Sequence, residues 1–128
     1  MLSEAMQPGL TTLERRVGRL CGLIDAMKGE AIVVLDLRGM CDFADAFVIA
    51  TTRSRTHMQG LALRVVQDLR QEGMRPLAKP DLASDRWTTI DYGDVIVHLF
   101  DADGRQYYSL EQLWGDAPEM AWQQPAMA

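Results

Sequence analysis

The chain has 128 residues, 48% of them hydrophobic, and 13 lysines and arginines against 18 aspartates and glutamates leave a formal net charge of -5. That length fits one domain with a real core. The acidic balance argues against a broad cationic field for phosphate backbones and for a basic protein partner instead.

Cys21 and Cys41 stand in no C-x-x-C spacing, so neither a disulfide framework nor a zinc ribbon is indicated, and a reducing compartment is the simple reading. The first residues, MLSEAMQPGLTTLERR, lack the basic start and apolar run of a secretory signal, and no apolar stretch approaches the roughly 18 residues of a membrane span. A soluble, cytoplasmic protein is expected.

Residues 1–10 carry Pro8 and Gly9 without periodicity and read as a loose N-terminal tail, with the domain running from 11 to 118. Thr11 and Glu14 have capping-box spacing. Leu13, Val17, Leu20, Cys21, Ile24 and Met27 follow at helical spacing, and Gly29 suits the left-handed residue that ends such a helix. AIVVLDL, 31–37, is a β-branched run expected of a strand covered on both faces. AFVIAT, 46–51, is a second. From Ser54 the stripe Met58, Leu61, Ala62, Val65, Leu69 predicts a helix of about five turns, stopped by Gly73 and Pro76. LAKPDLASDR, 77–86, reads as a short edge strand running into a loop.

WTTIDY, 87–92, and VIVHLF, 95–100, read as two strands joined by a Gly93-Asp94 turn. DADGR reads as a tight turn, Arg105 to Tyr108 as a last strand, and Ser109 with Gln112 as the capping box of a short helix ending at Gly115. Tyr108 and Leu113 have the spacing of a hydrophobic staple. Residues 119–128 read as a flexible C-terminal tail, and both tails are expected to be dispensable for binding. The order predicts a mixed β-sheet packed with helices, class α/β bordering on α+β.

Asp91 and Asp94, with Asp36 and Asp45 on neighbouring elements, could hold a magnesium ion or act as acid and base. Nucleotidyl transfer also needs a phosphate cradle, and the loop TTRSRT, 51–56, has no glycine. A turn residue and a solvated strand position are the plainer readings of the two aspartates. His98 alternates with Ile96 and Phe100, with Val95, Val97 and Leu99 on the other face, and reads as a core or interface residue rather than a metal ligand. Trp87, Tyr107, Tyr108 and Trp114 are harder to assign to folding alone, because Trp and Tyr dominate binding hot spots. Alternation would bury one of Tyr107 and Tyr108 and expose the other.

In combination and order, IVVLDLRG, DAFVIAT with its S-x-x-H helix start, W-x-x-x-DYGDVIVH and YYSLEQLWGDAP resemble the ribosomal silencing factors, also called Iojap-like proteins, over about residues 13–118. The resemblance implies a nucleotidyltransferase-like domain without catalytic motifs or cofactor. It implies binding to the fourteenth ribosomal protein of the large subunit, on the intersubunit face, so that the small subunit cannot join and translation is damped when nutrients are scarce. The family's recognition motifs fall here on Trp87, Asp91, Tyr92, Gly93, Asp94 and His98, and on Tyr108, Leu110 and Trp114. On that reading Asp94 would meet a partner Lys or Arg, and the free protein would hide the face in a homodimer. The family's usual Gly-Thr-Ser turn is Thr52-Arg53-Ser54 here, which weakens any phosphate-cradle role. An assembly adaptor of the large subunit and a nucleotide-binding enzyme are the alternatives.

Overall fold

The computed structural model describes residues 12–84 and 86–122. The expected N-terminal tail and the capping Thr11 lie outside the described residues. Among the described residues eight elements follow in order: α1 (Thr12–Ala26), β1 (Glu30–Asp36), β2 (Ala46–Thr51), α2 (Arg55–Gln71), β3 (Trp87–Asp91), β4 (Val95–Phe100), α3 (Ala102–Tyr108) and α4 (Leu110–Leu113).

The helical stripe in α1 buries Leu13, Val17, Leu20, Cys21 and Ile24. Its end differs from expectation in one respect. The left-handed residue is Lys28, at φ 71°, whose amide donates to the Asp25 carbonyl at 3.0 Å while the Gly29 amide donates to Ile24 at 2.8 Å, the paired bonds of a Schellman end. Gly29 is required by space instead, since a Cβ there would lie 2.3 Å from Ile24 Cγ2. In α2 the buried Met58, Leu61, Ala62, Val65 and Leu69 match the stripe read from sequence, and Ser54 caps the helix by accepting from the His57 amide.

The four strands form one mixed sheet in the order β1-β2-β4-β3. The central pair, β2 and β4, is parallel, and each edge strand is antiparallel to its neighbour. Parallel neighbours need a long crossover, and α2 lies within the one between β2 and β4. Strand alternation divides the core in two. Val34, Val48, Ala50, Val97 and Leu99 pack with α1 and α2. Leu35, Phe47, Ile49 and Phe100 turn to the opposite face. The architecture is a four-stranded mixed sheet with helices, an α+β arrangement at the border the sequence indicated.

Three local expectations are corrected. Residues 77–84 form bends and a turn rather than an edge strand: Pro76 and Pro80 have no amide for a ladder, and the segment is tied to β3 by Leu77 N–H to the Asp91 carbonyl, 2.8 Å, and by Thr88 Oγ1 to the Asp81 carbonyl, 3.1 Å. Arg105–Tyr108 is helical, not a strand, because DADGR is the first turn of α3: Asp101 caps it, its Oδ1 accepting from the Gly104 amide at 2.6 Å. A local cap here outweighs the β-propensity of Tyr-Tyr.

Residues 119–122, expected as part of a flexible tail, are instead tied to the fold. Pro118 accepts from the Asp36 amide at 2.8 Å and the Met120 amide donates to Val34 at 2.9 Å, so that Glu119 bridges Leu35. This strap covers the otherwise open edge of β1. Met120 and Trp122 then pack against the α1/α2 core. Residues 123–128 lie outside the described residues.

Candidate protein-docking face

The face of the sheet turned away from α1 and α2 is only partly covered, by the loop between β1 and β2 and by the short helices α3 and α4. Those helices are redirected at Ser109, which is left-handed (φ 50°). Its Oγ donates to the Gln106 carbonyl at 2.7 Å and makes no capping bond to α4, so the expected capping box is replaced by a bend. The bend turns Leu110 into the sheet, where it is buried. It leaves Leu113 76% exposed, so the staple with Tyr108 does not close over an apolar contact.

An unbroken run of aromatic contacts crosses this face. Tyr107 meets Tyr108 at a centroid distance of 5.0 Å, Tyr108 meets Trp87 at 4.7 Å, and Trp87 meets His98 at 5.8 Å. His98 meets Phe47 at 4.4 Å, Phe47 meets Trp114 at 5.7 Å, and Trp114 meets Phe43 at 6.0 Å. Tyr107 is 76% exposed and Phe43 58%, with Tyr108 and Met40 also open to solvent. The expectation that one of Tyr107 and Tyr108 is buried therefore fails: helical spacing turns both outward.

His98 lies between the two halves of this run. It is 5% exposed, and its Nδ1 accepts from the indole N–H of Trp87 at 3.1 Å. The remaining proton then sits on Nε2, a buried nitrogen without a partner. Burial pushes the imidazole down to about 4. Between that value and the ordinary 6.5, the unfolded chain holds a proton that the folded chain does not, so stability falls as pH drops through this window. The expected loss is roughly 2–3 kcal/mol by pH 4. Urea melts between pH 7 and 4 check it, and His98→Gln, which keeps an acceptor for Trp87, should flatten the slope above pH 4.5.

Of the remaining residues singled out in the sequence, Tyr92 and Asp94 lie apart from this group, while Asp91 shares its face. Tyr92 is buried on the opposite side of the sheet, in the α1/α2 core. Its hydroxyl has no partner, and burial pushes it up to about 12. Asp94 is engaged within its own chain: Arg16 Nη2 donates to Oδ1 at 3.0 Å, while Arg16 Nε lies 2.9 Å from Oδ2, out of line for a second bond. Its carbonyl also accepts from Asp45 and Ala46, so Asp94 fastens the β3–β4 hairpin to α1 and to the start of β2. Asp91 shares the aromatic face by alternation. Its Oδ1 accepts from the Gly93 amide at 2.8 Å, which shapes a turn where Gly93 has φ 89°.

The four aspartates weighed as a metal or acid-base set are dispersed. Asp36 pairs with Arg38 at 2.7 Å, which holds its carboxyl below the usual range, and Asp94 pairs with Arg16. Among the described residues no three His, Cys, Asp or Glu side chains gather as metal ligands would. In the loop before α2, Ser54 is occupied as the cap and Arg53 meets Glu30 at 3.1 Å.

Phe43 and Phe47 are the residues of the face that the sequence reading missed. Phe47 was legible from the alternation of AFVIAT, whereas Phe43 sits in an aperiodic loop. A second missed signal is the distribution of charge: residues 87–128 hold seven carboxylates and a single cation, Arg105.

Fold and face together define a small α+β domain with a sheet face crossed by aromatic rings that reach solvent at the two ends of the run. Residues 11–128 match the family model described as "Ribosomal silencing factor during starvation". A ribosomal silencing factor of Halalkalibacterium halodurans is 38% identical over 95 residues, 74% of this chain and 81% of that one. Its counterpart in Bacillus subtilis is 37% identical over 94 residues, 73% and 80% of the two chains. A crystal structure of a Chromobacterium violaceum protein superimposes with a TM-score of 0.74 at 27% identity, covering 89% of this chain and 91% of that one. The chain belongs to the ribosomal silencing factor family. Among the described residues no helix is long and apolar enough to cross a membrane.

Proposed function

We propose that this protein silences translation without catalysing a reaction: it docks through its aromatic sheet face on the fourteenth ribosomal protein of the large subunit and keeps the small subunit from joining. The observation that carries the reading is the ring run from Tyr107 to Phe43, in a chain of net charge -5. Exposed aromatic anchors supply binding energy in a desolvated contact. The net negative charge of the chain steers a basic partner and disfavours a polyanionic one. Trp87, Tyr108, Leu110 and Trp114 form or support the anchors, His98 orients Trp87, and Asp91 lies at the edge of the face. Tyr92 and Asp94 contribute by holding the hairpin from behind. A rigid domain seated between two subunit surfaces excludes one of them by its volume alone, in the cytoplasm and without cofactor. When no ribosome is available, a homodimer would cover the same apolar surface.

Sedimentation of extract from nutrient-limited cells through a sucrose gradient tests the docking step. The protein is expected in the fraction of free large subunits. Recovery at the top of the gradient would refute the proposal, and recovery only with precursor particles of growing cells would favour the assembly-adaptor alternative.

A further inference from the structure

Arg105 lies outside the aromatic run, yet it ties the segment that carries Tyr108, Leu110 and Trp114 to the sheet. Its Nη1 donates to the Ala31 carbonyl at 2.7 Å and to Thr51 Oγ1 at 2.9 Å. Its Nε and Nη2 hold both oxygens of Glu111, at 2.8 and 3.1 Å. One guanidinium thereby joins α3, which bears it, to α4 and to the adjoining strands β1 and β2, and its planar fork is what allows so many acceptors at once.

The acceptor on β1 is itself unusual. The pairing of β1 with β2 shifts register between Glu30 and Val33, and Ala31 is left-handed at φ 50°, a conformation that costs a non-glycine residue free energy. Within this bulge, Ala31 has no register partner on β2, and its carbonyl goes to Arg105 instead. On the other side, α4 is a four-residue helix, too short to hold its own shape. Its direction depends on the burial of Leu110 and on the grip of Arg105 on Glu111, whose carboxyl that grip holds below the usual range.

We infer that Arg105 is the positioning residue of the docking face: by joining the β1 bulge, Thr51 and Glu111 it sets the bend at Ser109, and so places Tyr108 on Trp87 and Trp114 between Phe43 and Phe47. The inference rests on the function proposed above. Arg105 touches no ring of the run; its contribution is preorganisation, which raises affinity by removing the ordering cost from the binding step.

The test uses the full chain, purified large subunits and amide hydrogen exchange. Arg105→Met should weaken binding roughly tenfold, the scale of losing one ordered element before docking. Exchange should quicken at 102–114 while β2 and β4 stay protected. Arg105→Lys keeps the charge but cannot hold both Glu111 oxygens and the bulge carbonyl together, so it should restore only part of both effects; it also serves should the Met variant fail to fold. Wild-type affinity in a folded variant would overturn the inference. So would weakened binding with unchanged exchange at 102–114, which would mean direct contact with the partner. Quickened exchange in a protein whose wild-type form does not bind large subunits would instead refute the proposed function, and with it any role of Arg105 in docking.

Discussion

Replacing Trp87 or Trp114 by alanine is expected to weaken binding to large subunits by about 2 kcal/mol each, roughly 30-fold. Both indoles join the two exposed ends of the face to its buried middle: Trp87 stacks on Phe100 at 5.0 Å and meets Tyr108, and Trp114 bridges Phe47 and Phe43. Because each also supports folding, the loss must be measured on variants whose circular dichroism matches wild type. Phe43→Ser separates the two contributions, since that ring is already open to solvent: binding should fall while thermal stability stays nearly unchanged. Asp94→Asn should behave in the opposite way. Its carboxylate already meets Arg16, so a modest loss of stability is expected, with affinity held within about threefold, because a partly exposed ion pair contributes little. Added salt should slow association of every variant, as screening weakens the steering of an acidic protein towards a basic one.

Deleting residues 118–128 is expected to destabilise the domain by about 3 kcal/mol, lowering the melting midpoint by roughly 10–15 °C. The deletion removes the two backbone bonds along β1 and the packing of Met120 and Trp122 on the α1/α2 core. Two partly buried side chains of that size and two hydrogen bonds support a figure of about this order. It also reopens the edge of β1, so faster aggregation should accompany the loss. Differential scanning calorimetry of the shortened chain decides the matter. A midpoint within 2 °C of wild type would show the strap to be an ornament of the fold, as a dispensable tail would be. Trp122→Ala alone should produce about half the effect.

What the sequence disclosed and what it concealed divide along physical lines. The alternation of VIVHLF placed His98 with Ile96 and Phe100, and the stripes of α1 and α2 named their buried residues, because those patterns report burial at fixed periods. The strap over β1 was invisible: Pro118 to Trp122 has no period, and its order comes from an edge strand more than 80 residues away. α3 was misread because Tyr107-Tyr108 favours strands, while the deciding residue was the cap at Asp101. At the end of α1, turn chemistry pointed to Gly29 for its freedom of φ, and packing against Ile24 proved to be its reason. In the candidate face, residue types named Trp87, Tyr108 and Trp114, but only the fold could show that Tyr92 and Asp94 belong to the other side of the sheet. The engagements of Asp94 with Arg16, and of Arg105 with Ala31 and Thr51, join segments far apart in sequence and leave no local pattern.

The central claim is that the protein, docked through its aromatic face, keeps the subunits from meeting by its volume, and a subunit-joining assay tests it most directly. Purified large and small subunits are mixed at a magnesium concentration that favours joining, with saturating wild-type protein or the folded Trp114→Ala variant, and joined ribosomes are measured by light scattering. The account predicts that wild-type protein suppresses the joined fraction, while the variant does so only at roughly 30-fold higher concentration. Joining that proceeds unhindered with wild-type protein bound to the large subunit, or that the variant suppresses as well as wild type, would contradict it.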